Sequence, residues 1–219
     1  SIYITMSNYL VDGRNKVKRV PGRGHYDTET VYSILDDAFI CHVSFVLEGQ
    51  PFLIPTLYGR ERNKLFLHGA NTSRLIKHLA KGFPVSLAVT HVDGIVLARS
   101  AFHHSANYRS VVLYGTAELL PEDQKEHALF VISENVLKGR WKESRLPTKK
   151  ELKATAVLAL EIEQASAKIR TGGPKDDRSD HDLDIWAGVL PITPIIGQPI
   201  ADEQLREGIP VPPSVQSVI

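Results

Sequence analysis

The chain has 219 residues and a net charge of +1, with 42% hydrophobic and 23% charged residues, the make-up of an ordinary globular domain. So small a charge leaves no electrostatic footprint for nucleic acid or an anionic membrane, and no apolar run approaches the ~20 residues that span a bilayer. The single cysteine, Cys41, excludes an internal disulfide, fits a reducing cytoplasmic setting and reads as a buried packing residue.

Residues 1–24 have little periodicity and read as an N-terminal arm that orders against a partner chain. Their opening stretch, "SIYITMSNYLVDGRNKVKR", lacks the build of a signal peptide. Residues 25–195 read as one domain and 196–219 as an irregular tail. A helix is expected over 27–38, capped by Asp27 or Thr28, because Val31, Ile34, Leu35 and Ala38 recur at helical spacing. "FICHVSFVL" alternates as a strand, "EGQP" turns, and "FLIPTLYG" returns; Pro55 cannot donate to a ladder, so that strand is an edge, bulged or ended there. "KLFLHG" is a strand, and a helix over 72–81 follows, stopped by Gly82. In "PVSLAVTHVDGIVLARSAF", Asp93-Gly94 between two alternating apolar runs predicts a hairpin. "YRSVVLYGTAELL" is a strand, Pro121 opens a helix reaching about residue 138, "TKKELKA" is a short helix, and "AVLALEIEQASAKIR" is the last long strand. Strands joined more often by hairpins than by helices favour an antiparallel barrel or strongly bent sheet with helices outside (a mainly β, α+β class) over a doubly wound parallel sheet.

Two stretches gather chemistry. Residues 68–74, "HGANTSR", place His68, Thr72, Ser73 and Arg74 where a helix begins. Free N–H groups, hydroxyls and a planar guanidinium suit a phosphate; the simpler alternative is that Asn71 or Thr72 caps the helix and Arg74 is a solvated charge. In "FHHSANYRS", residues 102–110, a connection between strands holds His103, His104, Ser105, Asn107, Tyr108, Arg109 and Ser110. That density of donors suits a polar ligand or a solvated loop, and no carboxylate stands at metal-ligand spacing. Trp186, in "DIWAGVLPI", either plugs a core edge or lays its ring over a flat ligand. GxGxxG, GxxxxGK[ST] and GxSxG are all absent.

Taken in order, "PFLIPTLYGRERNKLFLHGANTSRLIKHL", "HHSANYRSVVLYGTAELL" and "WAGVLPI" resemble the pyridoxamine 5′-phosphate oxidase-like flavoproteins, in the branch with nitroimidazole-reductase-like proteins, from about residue 19 to 192. The resemblance implies an antiparallel, FMN-binding split β-barrel with peripheral helices, working as a homodimer with FMN at the interface. By position, Pro55, Thr56, Leu57 and Tyr58 would run beside the flavin ring. His68, Thr72, Ser73 and Arg74 would hold the phosphate; Asn107, Tyr108, Arg109 and Ser110 would close over the cofactor from the other subunit; Trp186 would stand near the flavin. The cofactor carries the redox step, so no catalytic acid or nucleophile is required. The implied activity is an FMN-dependent oxidoreductase acting on a small aromatic or nitro compound, with a non-catalytic flavin binder as the alternative. A nicotinamide nucleotide could supply hydride, though the sequence displays no site for one. A third reading is haem binding with His68, His91, His103 or His104 as ligand. One departure stands out: true pyridoxamine phosphate oxidases carry a basic residue after the strand matching "IPTLY" and an Arg-rich C-terminus, whereas here Gly59 follows Tyr58 and the chain reads "WAGVLPITPIIGQP".

Overall fold

A computed structural model of the protein describes residues 7–219. In chain order the elements are β1 (Gly24–His25), α1 (Thr28–Asp36), β2 (Ile40–Leu47), β3 (Gln50–Leu57), β4 (Gly59–Glu61), β5 (Lys64–Ala70) and α2 (Arg74–Leu79). They continue with β6 (Pro84–Leu97), β7 (Ser105–Leu119), α3 (Glu122–Val136), α4 (Lys149–Ala154), β8 (Thr155–Arg170), β9 (Gly188–Pro191) and α5 (Pro213–Gln216). The strand order is β3-β2-β6-β7-β8-β5-β4, with β1 added to β8 and β9 to β6. The hairpins β2/β3 and β4/β5 and the pairs β5/β8, β1/β8 and β6/β9 are antiparallel. The ladder stays open between β3 and β4, as a split barrel requires. Among the described residues, no helix is long and apolar enough to cross a membrane.

The chain divides into two compact units. The first takes the chain up to Asp37 with Ser86–Tyr114 and Glu163–Thr193. Here Asp27 caps α1, its carboxylate accepting from the Thr30 N–H at 2.8 Å, and the helix buries Val31, Ile34 and Leu35. The segment read as a partner-dependent arm is bonded to its own chain from Asn8 onward. Asn8 bridges to Asp27, the Tyr9 N–H donates to Tyr26 O, and β1 extends β8. Buried Asn15 donates its amide to Leu10 O (2.8 Å) and Ala165 O (3.2 Å). Residues 1–6 of that segment lie outside the described residues.

The expected Asp93-Gly94 hairpin is absent: β6 runs unbroken from Pro84 to Leu97. A type I′ turn needs positive φ at both central residues, and neither Asp93 nor Gly94 has it. Gly94 serves a close approach instead. It stands opposite Pro191 of β9, and a Cβ there would lie 3.1 Å from Leu190 O. Asp93 faces Arg109, described below. The donor-rich connection is also shorter than expected, because β7 begins at Ser105, three residues before the expected start at Tyr108.

The second unit holds Ala38–Val85, Gly115–Ile162 and Pro194–Ile219. Glu48 and Gly49 turn the β2/β3 hairpin with φ of 51° and 76°. β3 is an edge strand, which accommodates Pro55. α3 lies against β4 and β5 over a core of Phe66, Ala128, Ile132, Val157 and Ala159. Each large apolar side chain buried there contributes roughly 1.5–3 kcal/mol. The contact is close at Gly59, where a Cβ would meet Val131 O at 2.7 Å. Thr148 and Glu151 close a capping box at the start of α4. In the tail, α5 docks through Ser214, whose N–H and hydroxyl both bond to the Glu143 carboxylate.

Candidate functional site

His68 sits on β5 opposite Val157 of β8. Its Nδ1 is buried and has no hydrogen-bond partner among the described residues, and burial pulls the imidazole pKa below its ordinary value. The ring is therefore neutral at pH 7. It lines a cavity of about 330 Å³ with Leu57, Leu129, Ile132, Val136 and Trp141 as apolar wall and Arg140 beside them. A second space of about 370 Å³ shares His68, Leu129 and Trp141 and reaches Arg145, Glu151 and Thr155. Arg145 is committed to Glu151 at 2.8 Å, and Arg140 stands 3.7 Å from Glu143.

Of the β3 residues expected beside a flavin, Leu57 shares the His68 cavity. Thr56 pairs with Cys41 and Pro55 with His42 in the ladder. Tyr58 is wholly buried, its N–H donating to Phe39 O (3.3 Å) and its carbonyl accepting from Asn135 Nδ2 (2.8 Å). At the turn into α2 the N-cap is Ser73, not Asn71 or Thr72, and no side chain caps the helix. Asn71 instead donates to Lys153 O at 2.9 Å. The Ser73 hydroxyl is thus left uncommitted by the cap. Arg74 stacks over the Phe52 ring at 4.9 Å, and among the described residues it has no carboxylate within ion-pair distance.

The residues of 107–110 do four different things. Asn107 is buried, donates to Gly172 O at 3.0 Å and accepts from the Arg170 guanidinium at 2.5 Å. Tyr108 lines a separate cavity of about 510 Å³. Arg109 binds Asp93 through two nitrogens (3.0 Å each) and Asp37 through the third (2.8 Å). These carboxylates, Asp93 first, raise its pKa above the usual guanidinium range, and its charge is already matched. Ser110 donates to Lys168 O at 3.3 Å. Trp186 is 65% exposed, its ring close over Gly188.

Four histidines were candidate haem ligands. His91 Nε2 lies 3.0 Å from Ile34 O, His103 is 3.7 Å from Asp177, and His104 Nδ1 accepts from the Ala98 N–H at 3.0 Å. Only His68 among these four has a buried, unbonded ring nitrogen. Among the described residues no group of three or more His, Cys, Asp or Glu is gathered for a metal ion. Trp141 and Arg140 were not singled out in the sequence. The signal was present in "KGRW", a cation and an indole just past the end of α3, where Gly139 turns the chain with φ of 87°.

An open antiparallel barrel with a helix-flanked apolar cavity defines a split-barrel protein of the type the sequence motifs resemble. A family model described as pyridoxamine 5′-phosphate oxidase matches residues 27–169, and the chain belongs to that family. The flavocytochrome Anf3 of Azotobacter vinelandii is 38% identical, covering 95% of this chain and 97% of its own with a TM-score of 0.89. An FAD- and haem-binding protein of Mycobacterium smegmatis is 36% identical over 90% of this chain and 97% of its own, with a TM-score of 0.86. A candidate 5-nitroimidazole antibiotic resistance protein of Bacteroides thetaiotaomicron shares the fold at 23% identity, over 67% of this chain and 86% of its own, with a TM-score of 0.57. No curated protein matches the chain.

Proposed function

We propose that this chain is a flavin-binding redox protein that also takes a haem at His68. One observation carries the reading: the two near-full-length relatives above are, by name, a flavocytochrome and an FAD- and haem-binding protein. When bound, flavin exchanges electrons in ones or twos and haem in ones, so the pair links a two-electron donor to a one-electron acceptor. A haem held here would supply one-electron chemistry and would need from the protein an imidazole ligand and an apolar slot. Neutral His68, with Leu57, Leu129, Ile132 and Trp141 around it, offers both. For the flavin, Thr72, Ser73 and Arg74 are the phosphate donors that this reading favours over Arg109, because Arg109 is held by two carboxylates. FMN follows from the motif resemblance and FAD from the name of the M. smegmatis relative; the mass of the flavin released on denaturation decides between them.

A homodimer is part of the same proposal. The β2/β3 hairpin exposes Phe39, Ile40, Val46 and Leu53 on an edge, a combination that another subunit would cover. Sedimentation should show a dimer. The protein as purified should show flavin bands and a Soret band that shifts on reduction with dithionite, and His68→Ala should lose the Soret band while keeping the flavin. A preparation that stays colourless after incubation with FMN, FAD and haemin refutes the proposal. Reduction of small nitro-aromatic compounds is the enzymatic form of this reading, measured as acceptor-dependent oxidation of NADH or NADPH.

A further inference from the structure

The 510 Å³ cavity in the first unit is cationic. Arg19, Arg23, Lys168, Arg170 and Lys175 line it, and among the described residues no carboxylate does. They come from three separate stretches of chain. Arg19 and Arg23 flank the "VPG" turn, Lys168 and Arg170 end β8, and Lys175 follows Gly172-Gly173. None of the five forms an ion pair within the described residues. Arg170 is only 4% exposed, and its guanidinium is held by neutral acceptors: Asn107 Oδ1 at 2.5 Å, Gly172 O at 3.4 Å and Gly173 O at 3.2 Å. A buried guanidinium without a counterion costs free energy. Burial first, and the nearby Arg23 cation second, pull the Arg170 pKa below its ordinary value.

The arrangement is also braced. Asp176, whose side chain is 1% exposed, accepts from the Arg99 and Ser100 N–H groups at 2.9 and 3.0 Å and pairs with the Arg99 side chain. That anchor fixes Lys175 beside it. His104 accepts from the Ala98 N–H through Nδ1, which leaves Nε2 as the ring's donor. At the rim Phe102 is 89% exposed, an unusual position for a phenyl ring, and Tyr108 is the second aromatic.

We infer that this cavity binds the diphosphate of a nucleotide, with the phosphates on the five cations and the base against Phe102 or Tyr108. A diphosphate brings the charge that the unpaired cations lack, guanidinium forks suit its oxygens in pairs, and 510 Å³ lies within the ~300–1,000 Å³ of ordinary ligand pockets. The occupant that fits this chemistry is a free nicotinamide dinucleotide, since the flavin's own phosphate is assigned to Thr72, Ser73 and Arg74. The inference goes beyond the flavin and haem reading and holds whether or not that reading does.

The test is titration calorimetry with ADP, NADPH and inorganic pyrophosphate on full-length protein, before and after removal of any resident flavin, whose content is measured separately by absorbance. Saturable ADP or NADPH binding to flavin-loaded protein supports the site and assigns it to a free nucleotide. ADP binding that appears only after flavin removal, and is blocked by FAD, is binding at the flavin's own site and overturns the inference. Arg23→Glu and Lys175→Glu should each weaken ADP at least about tenfold, whereas Lys81→Glu, an equal change of charge at a residue that does not line the cavity, should leave it within about twofold. No nucleotide binding in either form, or equal losses in all three variants, overturns the inference.

Discussion

The two cavities handle polarity in opposite ways. Around His68 the walls are aliphatic and indole, the one ionisable ring is held neutral by burial, and the nearby cations already have carboxylates within reach. Around Arg170 the lining is cationic, carboxylates stand outside it, and the buried charge rests on amide and carbonyl oxygens. A flat apolar group with one free coordination position suits the first; a small polyanion suits the second. Each site buries a group that is incompletely matched, an imidazole nitrogen without a partner in one and a charge without a counterion in the other, and burial makes both costly.

The sharpest way to break this contrast is His68→Ala. It should abolish the Soret band of haemin-loaded protein while leaving ADP titration of the cationic cavity within twofold. Next in size is a pair of arginines. Arg74→Ala together with Ser73→Ala should weaken flavin retention by more than about tenfold and cost at most roughly 0.5 kcal/mol in urea unfolding, since both lie at the surface. Arg109→Ala should do the reverse, costing about 1 kcal/mol by leaving Asp93 and Asp37 unpaired, a figure already reduced for their partial exposure.

His78 offers a control for unbonded histidines. It is buried, both ring nitrogens lack partners among the described residues, and it stacks with Phe45 at 4.5 Å and lies tilted against Phe83 at 5.1 Å. Burial, then Lys81, lowers its pKa in the folded state. The unfolded chain therefore binds more protons below about pH 6.5, and stability falls as the pH drops through that value towards the folded pKa. His78→Phe should be as stable as the parent at pH 7.5 and should flatten the acid-side decline in unfolding midpoint. Equal acid sensitivity in both proteins would move the effect to other groups. The smallest effect concerns Cys41, whose thiol burial pushes up to about 12. It should resist Ellman's reagent at pH 8 in the native protein and react only on unfolding.

Local pattern made much of this legible. The Asp27 cap, the edge placement of Pro55, the Gly82 stop, the helix after Pro121 and the last long strand all follow from residue chemistry acting over a few positions, and each stands in the structure. Asp93-Gly94 misled because a turn-like dipeptide can also serve a close approach between strands, and only β9 packing on Gly94 distinguishes the two. Arg109 looked available because its partners, Asp93 and Asp37, are 16 and 72 residues away in sequence. The cationic cavity escaped notice for the same reason: "RVPGR", "KIR" and "PK" are each unremarkable until β1 lies on β8.

The sequence by itself determined the family, the alternation of strands and helices, and the residue types able to meet a phosphate or a macrocycle. Periodicity, capping and turn chemistry are short-range, and they are written in consecutive residues. Tertiary structure decided which of those groups are free. Whether an arginine is matched by a carboxylate, or an imidazole is left without a partner, depends on what distant strands bring within about 3 Å, the reach of a hydrogen bond.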